Sequence, residues 1–238
     1  MALRAVTCLF VFFSSLAASA QDENMSSWLN DGKPKETVHR LTSIGVHRDV
    51  AEQAIVEEAP LIQWEAVRTE SGQPLAIMFL PCTALGAHVY LMSQNANWRV
   101  SDTVDLECYY DDSVSIEIAS IRREGVDELL VHHASEARGT GFSQQNFKVY
   151  GISNGKLKPV LNTEEILSAD PPEGPARRER SYFVIMPSNN ERSHLVIEQT
   201  HSVLVGDKLS VQRRYFRWAA DKGRYVPSSF IAVRSSDE

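Results

Sequence analysis

An Asn-Gly pair at 154–155 stands between two strand-like runs, Lys148–Ser153 and Lys156–Leu161. A type I′ turn needs positive φ at both central positions, and Asn followed by Gly meets that need at least steric cost. Fixing these two residues fixes an antiparallel hairpin in which Ser153 sits beside Lys156. Pro159 has no N–H to give to a ladder, so the second strand is expected to be an edge or to bulge there. The hairpin closes a longer stretch, Ser113–Leu161, that reads as four strands in a row. SVSIEIASI alternates, with Val114, Ile116 and Ile118 on one face. DELLVHHA is apolar on both faces, as a central strand should be. NFKVYGIS puts Phe147, Val149 and Gly151 on one side and Lys148 and Tyr150 on the other, and KLKPVL follows it.

Strand patterns recur on either side of this stretch. IQWEAVR and PLAIMFLP flank the turn residues Glu70-Ser71-Gly72-Gln73, and HVYLMS and NWRVSDTV come next. After residue 180 come SYFVIMP, HLVIEQTHSVLV, KLSVQRRYFRWAA and GRYVPSSFIAV, with turns at Gly206-Asp207 and Asp221-Lys222-Gly223. Between them Ser168–Arg180 breaks the pattern. Pro171, Pro172, Gly174 and Pro175 oppose regular structure and the arginines favour water, which predicts a long exposed loop. Helical periodicity is confined to the start: Lys35–Ser43 aligns Val38 with Leu41, and Arg48–Glu58 aligns Val50, Ala51, Ala54 and Ile55. Gly45 between them fits a helix C-terminus. The pair resembles part of a ubiquitin-associated domain, but the third helix of that family does not follow. The expected fold is mainly β, an antiparallel meander forming a sandwich or a propeller-like stack. It occupies residues 61–232 with an exposed loop at 168–180, and a helical hairpin over 35–60 packs against it.

The first 20 residues carry Arg4, an apolar run from Ala5 to Phe13, and Ala18-Ser19-Ala20, the pattern of a secretory signal peptide cleaved before Gln21. That run is too short to span a bilayer, which takes about 20 apolar residues, and the best later candidate, Leu75–Leu80, is shorter still. Residues 21–34 are polar and expected to be disordered, with a glycosylation sequon at Asn24-Met25-Ser26. The expected location is secreted or periplasmic. There Cys82 and Cys108, the two cysteines beyond the leader, should form a disulfide contributing roughly 3–4 kcal/mol. A net charge of −7 argues against nucleic acid and anionic membranes as partners.

Several motifs invite a chemical reading. Gly151-Ile152-Ser153-Asn154-Gly155 matches G-x-S-x-G, whose serine must stand on a strand-to-helix elbow; here a hairpin is expected instead. His132, His133 and Glu136 could suggest a metal, but neighbours on a strand face opposite sides, and a zinc site takes three protein ligands or more. Asp111-Asp112 reads as a solvated turn. Arg138-Gly139-Thr140-Gly141 is a candidate ligand or anion loop, although turn chemistry alone accounts for its glycines. Ser120–Leu129 (SIRREGVDEL) resembles one degenerate FG-GAP repeat, the unit of integrin-α-type propellers. Gly125, Glu128 and Leu129 fall in place, while Ser120 and Arg122 stand at the first calcium-ligand positions. The resemblance, over residues 120–131, implies β-sheet blades and a binding role with calcium lost, since a guanidinium repels the ion. No catalytic residue, metal or cofactor is assigned. The expected function is that of a secreted, non-enzymatic protein binding a protein, peptide or glycan. The alternative is a hydrolase drawing on scattered residues such as Asp102, Asp105, Glu117 or His132.

Overall fold

The structure is a computed structural model and describes residues 25, 27–31, 33–56, 62–108, 112–137, 142–169, 177–187 and 195–232. The chain forms two compact units, Met1–Glu107 and Cys108–Glu238. It is mainly β and every ladder is antiparallel.

Besides helical residues at 27–30, the described part of the first unit holds the helices α1 (Pro34–Ile44) and α2 (Arg48–Val56) and the strands β1 (Gln63–Val67), β2 (Leu75–Thr83), β3 (Gly86–Gln94) and β4 (Trp98–Leu106). The strands form a meander in the order β1-β2-β3-β4. Pro34 starts α1, where a missing N–H costs nothing. Gly45 ends it at φ 106°, donating its N–H to Thr42 O while Val46 N–H reaches back to Leu41 O. Leu41, Ile44, Val46 and Ala51 of the helical pair then close on Trp64, Ala76, Met78, Leu80, Tyr90 and Met92 of the sheet in one core. The helical hairpin is thus the cover of one sheet face, as its amphipathic pattern predicts. The Cys82–Cys108 disulfide is formed.

The second unit is a meander of eight strands: β5 (Ser113–Arg123), β6 (Val126–Ala137), β7 (Phe142–Ser153), β8 (Lys156–Ala169), β9 (Arg177–Pro187), β10 (Leu195–Val205), β11 (Lys208–Ala219) and β12 (Arg224–Ala232). Asn154 and Gly155 stand at φ 53° and 66°, and Ser153 pairs with Lys156, the geometry the turn residues demand. The ladder slips between Val149 and Tyr150, so that Tyr150 faces Pro159 and Val149 faces Leu161; the bulge absorbs the proline. On β6, Leu129, Leu130 and Val131 are all buried, which is why that strand is apolar on both faces. β8 and β9 share only two pairs, Ser168 with Arg178 and Ala169 with Arg177. At that join the sheet folds over. Phe147 of β7 stacks on Phe183 of β9 with centroids 4.2 Å apart, and Leu130, Val149, Leu161, Ile197 and Phe216 fill the space between the two four-stranded halves. The unit is a sandwich made from one meander.

Three expectations change. Disorder over residues 21–34 fails at 27–30, which are helical: Leu29 is fully buried, and Asn30 holds Ile62 with two 3.0 Å hydrogen bonds, its side-chain amide donating to Ile62 O and its Oδ1 accepting from Ile62 N–H. Leu29 and Met25 on the core, together with the Asn30–Ile62 hydrogen bonds, dock the segment. The single β domain over 61–232 divides at Glu107/Cys108. The loop at 168–180 shortens, because β8 runs on through Ala169 and β9 begins at Arg177. There the eleven-residue β10 pairs with β9 as far as Val205–Arg177, and its backbone partners override the arginine-rich composition. Residues 170–176, the signal segment 1–20, Asn24 and Asp111 lie outside the described residues.

Candidate binding cleft

The anion-loop candidate Arg138, Gly139, Thr140 and Gly141 also lies outside the described residues. The other sequence motifs are placed. Ser153 ends β7 in the hairpin, with a strand and not a helix behind it. Gly151, the first glycine of that motif, has a packing reason: a Cβ there would lie 3.3 Å from Val160 Cγ1 and 3.9 Å from Glu128 Oε1. His132 and His133 point to opposite faces. His132 packs 4.7 Å from the Phe147 ring, and burial holds its pKa low against the raising charge of Glu117. His133 Nε2 approaches Asp112 Oδ2 at 3.4 Å. Asp102 lies on β4, and Asp105 on the same strand bonds His88 Nδ1 at 2.8 Å. Among the described residues no three His, Cys, Asp or Glu side chains converge as a metal-ligand set.

What the sequence reading missed is a cleft of about 570 Å³ in the second unit. Five consecutive residues of β8, Pro159–Thr163, line it, and so do four consecutive residues of β12, Arg224–Pro227. Side chains along a strand alternate between faces, so a cavity that touches every residue in a row approaches the strand from its edge. Among the described residues neither edge carries a further strand along the cleft. β12 ends the sheet, and β8 pairs outward only at Ser168 and Ala169. Arg214 and Phe216, two apart on β11, supply the floor from the face that carries the core. The Arg214 guanidinium lies 5.8 Å from the Phe216 ring centroid, on the cation–π side of that ring.

A buried polar cluster fixes the β12 wall. Tyr225 O–H donates to Glu128 Oε2 at 2.7 Å, linking β12 to β6 across 97 residues. Glu128 is fully buried, and its other oxygen lies 3.6 Å from Arg122 Nε. Arg122 in turn lies 4.6 Å from the Trp218 ring centroid, and Trp218 meets Tyr225 edge-on at 5.4 Å. Burial raises the carboxyl pKa of Glu128, opposed by the Tyr225 hydrogen bond and the Arg122 charge. Burial, with the charge of Glu128, raises the Tyr225 phenol far above its ordinary value. Arg122, which stands where the resemblance to FG-GAP repeats places a calcium ligand, is therefore the counter-ion of a buried glutamate. The signal for this cluster was present in the sequence: an acid on a strand apolar on both faces, and Arg214 alternating with Phe216 and Trp218 along β11.

A wider groove of about 1100 Å³ follows the solvent-facing sides of α1 and α2. Two of its charged groups, Arg48 and Glu52, pair at 2.6 Å, and Lys35 also lines it. The cleft of the second unit is the better site because its walls offer backbone groups as well as side chains. Compared with known proteins, the chain matches no family model and no curated relative.

Proposed function

We propose that this is an exported, non-enzymatic binding protein whose ligand occupies the cleft between β8 and β12. The observation that carries this reading is the lining: aromatic and apolar surface, an amide, two hydroxyls and two guanidinium groups, with no carboxylate, imidazole or thiol among the described lining residues. Such a set supplies shape, hydrogen bonds and positive charge, which suit recognition; acid–base or nucleophilic chemistry calls for a proton-transfer pair. The buried Glu128–Tyr225 bond supports it by holding one wall in place, so little ordering is left to be done on binding. The apolar leader ending in Ala18-Ser19-Ala20 and the Cys82–Cys108 disulfide support export. The likeness of residues 120–131 to an FG-GAP unit also implies a binding role. The test replaces Asn162, exposed at the cleft, with tryptophan. A ligand captured from the medium by the wild type should lose its affinity for Asn162→Trp while the circular dichroism spectrum is kept. Equal affinity for both proteins refutes the cleft. Turnover of ester, peptide or glycoside substrates by the purified wild type refutes the binding reading and favours the hydrolase.

A further inference from the structure

We infer that Asn154 is a self-modifying site: the backbone nitrogen of Gly155 displaces its side-chain amide, at a rate set by opening of the β7–β8 hairpin. The site is independent of what the cleft binds. Among the asparagines of the chain, Asn154 alone is followed by glycine, so no Cβ shields the attacking nitrogen. Asn154 is exposed at the tip of the hairpin, where water reaches it. In the reaction the Gly155 nitrogen bonds to Asn154 Cγ and the Cγ–Nδ2 bond breaks. The Gly155 amide proton passes through water to the departing nitrogen, which leaves as ammonia. A second water then opens the cyclic imide at either of its carbonyls. Breaking the new N–Cγ bond leaves aspartate. Breaking the bond to the main-chain carbonyl leaves isoaspartate, in which the chain runs through Cγ. Nothing is oxidised or reduced, and water is the only other reactant.

The turn that creates the site also restrains it. At φ 53° Asn154 occupies the left-handed region, where ψ is about +30 to +60°. With ψ there, the Gly155 nitrogen stands nearly opposite Cβ across the Cα–C bond, facing away from the side-chain carbonyl. Ring closure needs that bond to rotate, which takes Asn154 out of its turn conformation and parts Ser153 from Lys156. Opening of this kind begins at a tip. Ser153 and Asn154 are exposed, whereas the next pair, Ile152 with Leu157, is buried and holds the rest of the hairpin closed. Once isoaspartate forms, its added backbone methylene lengthens a two-residue loop that needs positive φ at both positions. The turn then does not close again in register.

The test incubates the full chain, beside the free peptide Gly151–Lys156 with blocked ends, at mildly alkaline pH. Peptide mapping by mass spectrometry and enzymatic methylation of isoaspartate follow the product. Conversion in the folded chain should centre on Asn154 and spare the exposed Asn162, which precedes Thr163. It should run at least about tenfold slower than in the peptide, in proportion to the small open population of the tip. Urea below the unfolding midpoint should speed conversion in the chain and not in the peptide. Asn154→Gly, which keeps a residue suited to positive φ, should abolish both signals at this turn. Isoaspartate chains, separated by charge, should unfold at lower urea than their parent. An unchanged Asn154 in the chain while the peptide converts overturns the site, as does conversion spread evenly over the asparagines. Equal rates in chain and peptide, or a rate in the chain blind to urea, overturn the gating by the hairpin. An isoaspartate chain with the parent's urea midpoint overturns the loss of register.

Discussion

Replacing Tyr225 with phenylalanine removes one oxygen and keeps the ring against Trp218. The lost hydroxyl donates at 2.7 Å to a carboxylate that is fully buried, from a tyrosine only 3% exposed. A hydrogen bond to a charged group contributes about 1.5–3 kcal/mol, and removing one partner of a buried pair sits at the upper part of that range because the carboxylate oxygen is left without a donor. Tyr225→Phe should therefore cost about 2–3 kcal/mol, which for a domain of this size lowers Tm by about 6–12 °C. Urea unfolding of the full chain, followed by tryptophan fluorescence and circular dichroism, measures it; the midpoint should fall with the slope unchanged. The double variant Tyr225→Phe with Glu128→Met removes the stranded carboxylate as well. Arg122 is 25% exposed on its side chain, so its charge can keep water. The double variant should regain about 1 kcal/mol or more over the single one. A loss below about 0.5 kcal/mol for Tyr225→Phe, or a double variant no better than it, refutes the account of a buried, hydrogen-bonded glutamate.

Glu128→Gln tests the same group through pH. Its folded pKa is raised above the ordinary 4.5, so the wild type keeps this stabilisation below about pH 4.5 and loses it as pH rises through the folded value. Stability of the variant minus wild type should grow with pH above 4.5, by at most about 1.4 kcal/mol per pH unit; a difference that shrinks with pH contradicts the shift. Gly155→Val forces a β-branched residue to φ 66° and should cost about 1–2 kcal/mol or more, read as a lowered melting temperature. Gly86→Ala meets a fixed obstacle, since its Cβ would lie 2.7 Å from Leu106 O at φ 94°; a loss of about 2 kcal/mol is expected, and an unchanged urea midpoint would show that β4 moves aside freely. Cys82→Ser should cost roughly 3–4 kcal/mol, and peptide mapping without reductant should recover Cys82 joined to Cys108 in the wild type.

Each of the twelve strands could be read from its residues, because alternation and turn chemistry are local and this fold pairs only sequence neighbours. Asn154-Gly155 gave the register of β7 and β8 to the residue. The bulge at Pro159 followed from a missing donor. The cleft was not legible, since it exists only where residues near 160 meet residues near 225, and no local pattern encodes that approach. The docking of Leu29 was overlooked although Met25, Trp28 and Leu29 stand at i, i+3 and i+4: one turn of apolar period is too short to stand out in a polar segment. The division at Glu107/Cys108 carries no proline, glycine or low-complexity marker, and the glycine-bearing stretch 138–141, which does, is not where the units divide.

The bond between Tyr225 and Glu128 also orders events in time. Among the described residues every ladder joins consecutive strands, so most of the backbone pairing closes short loops at small entropic cost. The sandwich can close only after both halves exist, and the Tyr225–Glu128 tie across it spans 97 residues. Hairpins such as β7–β8 should therefore be formed in the folding transition state while the Tyr225–Glu128 bond is still open. In stopped-flow chevrons Gly155→Val should slow refolding, whereas Tyr225→Phe should leave refolding alone and speed unfolding. A Tyr225→Phe chevron shifted on its refolding arm would mean that the two halves meet before their strands are complete.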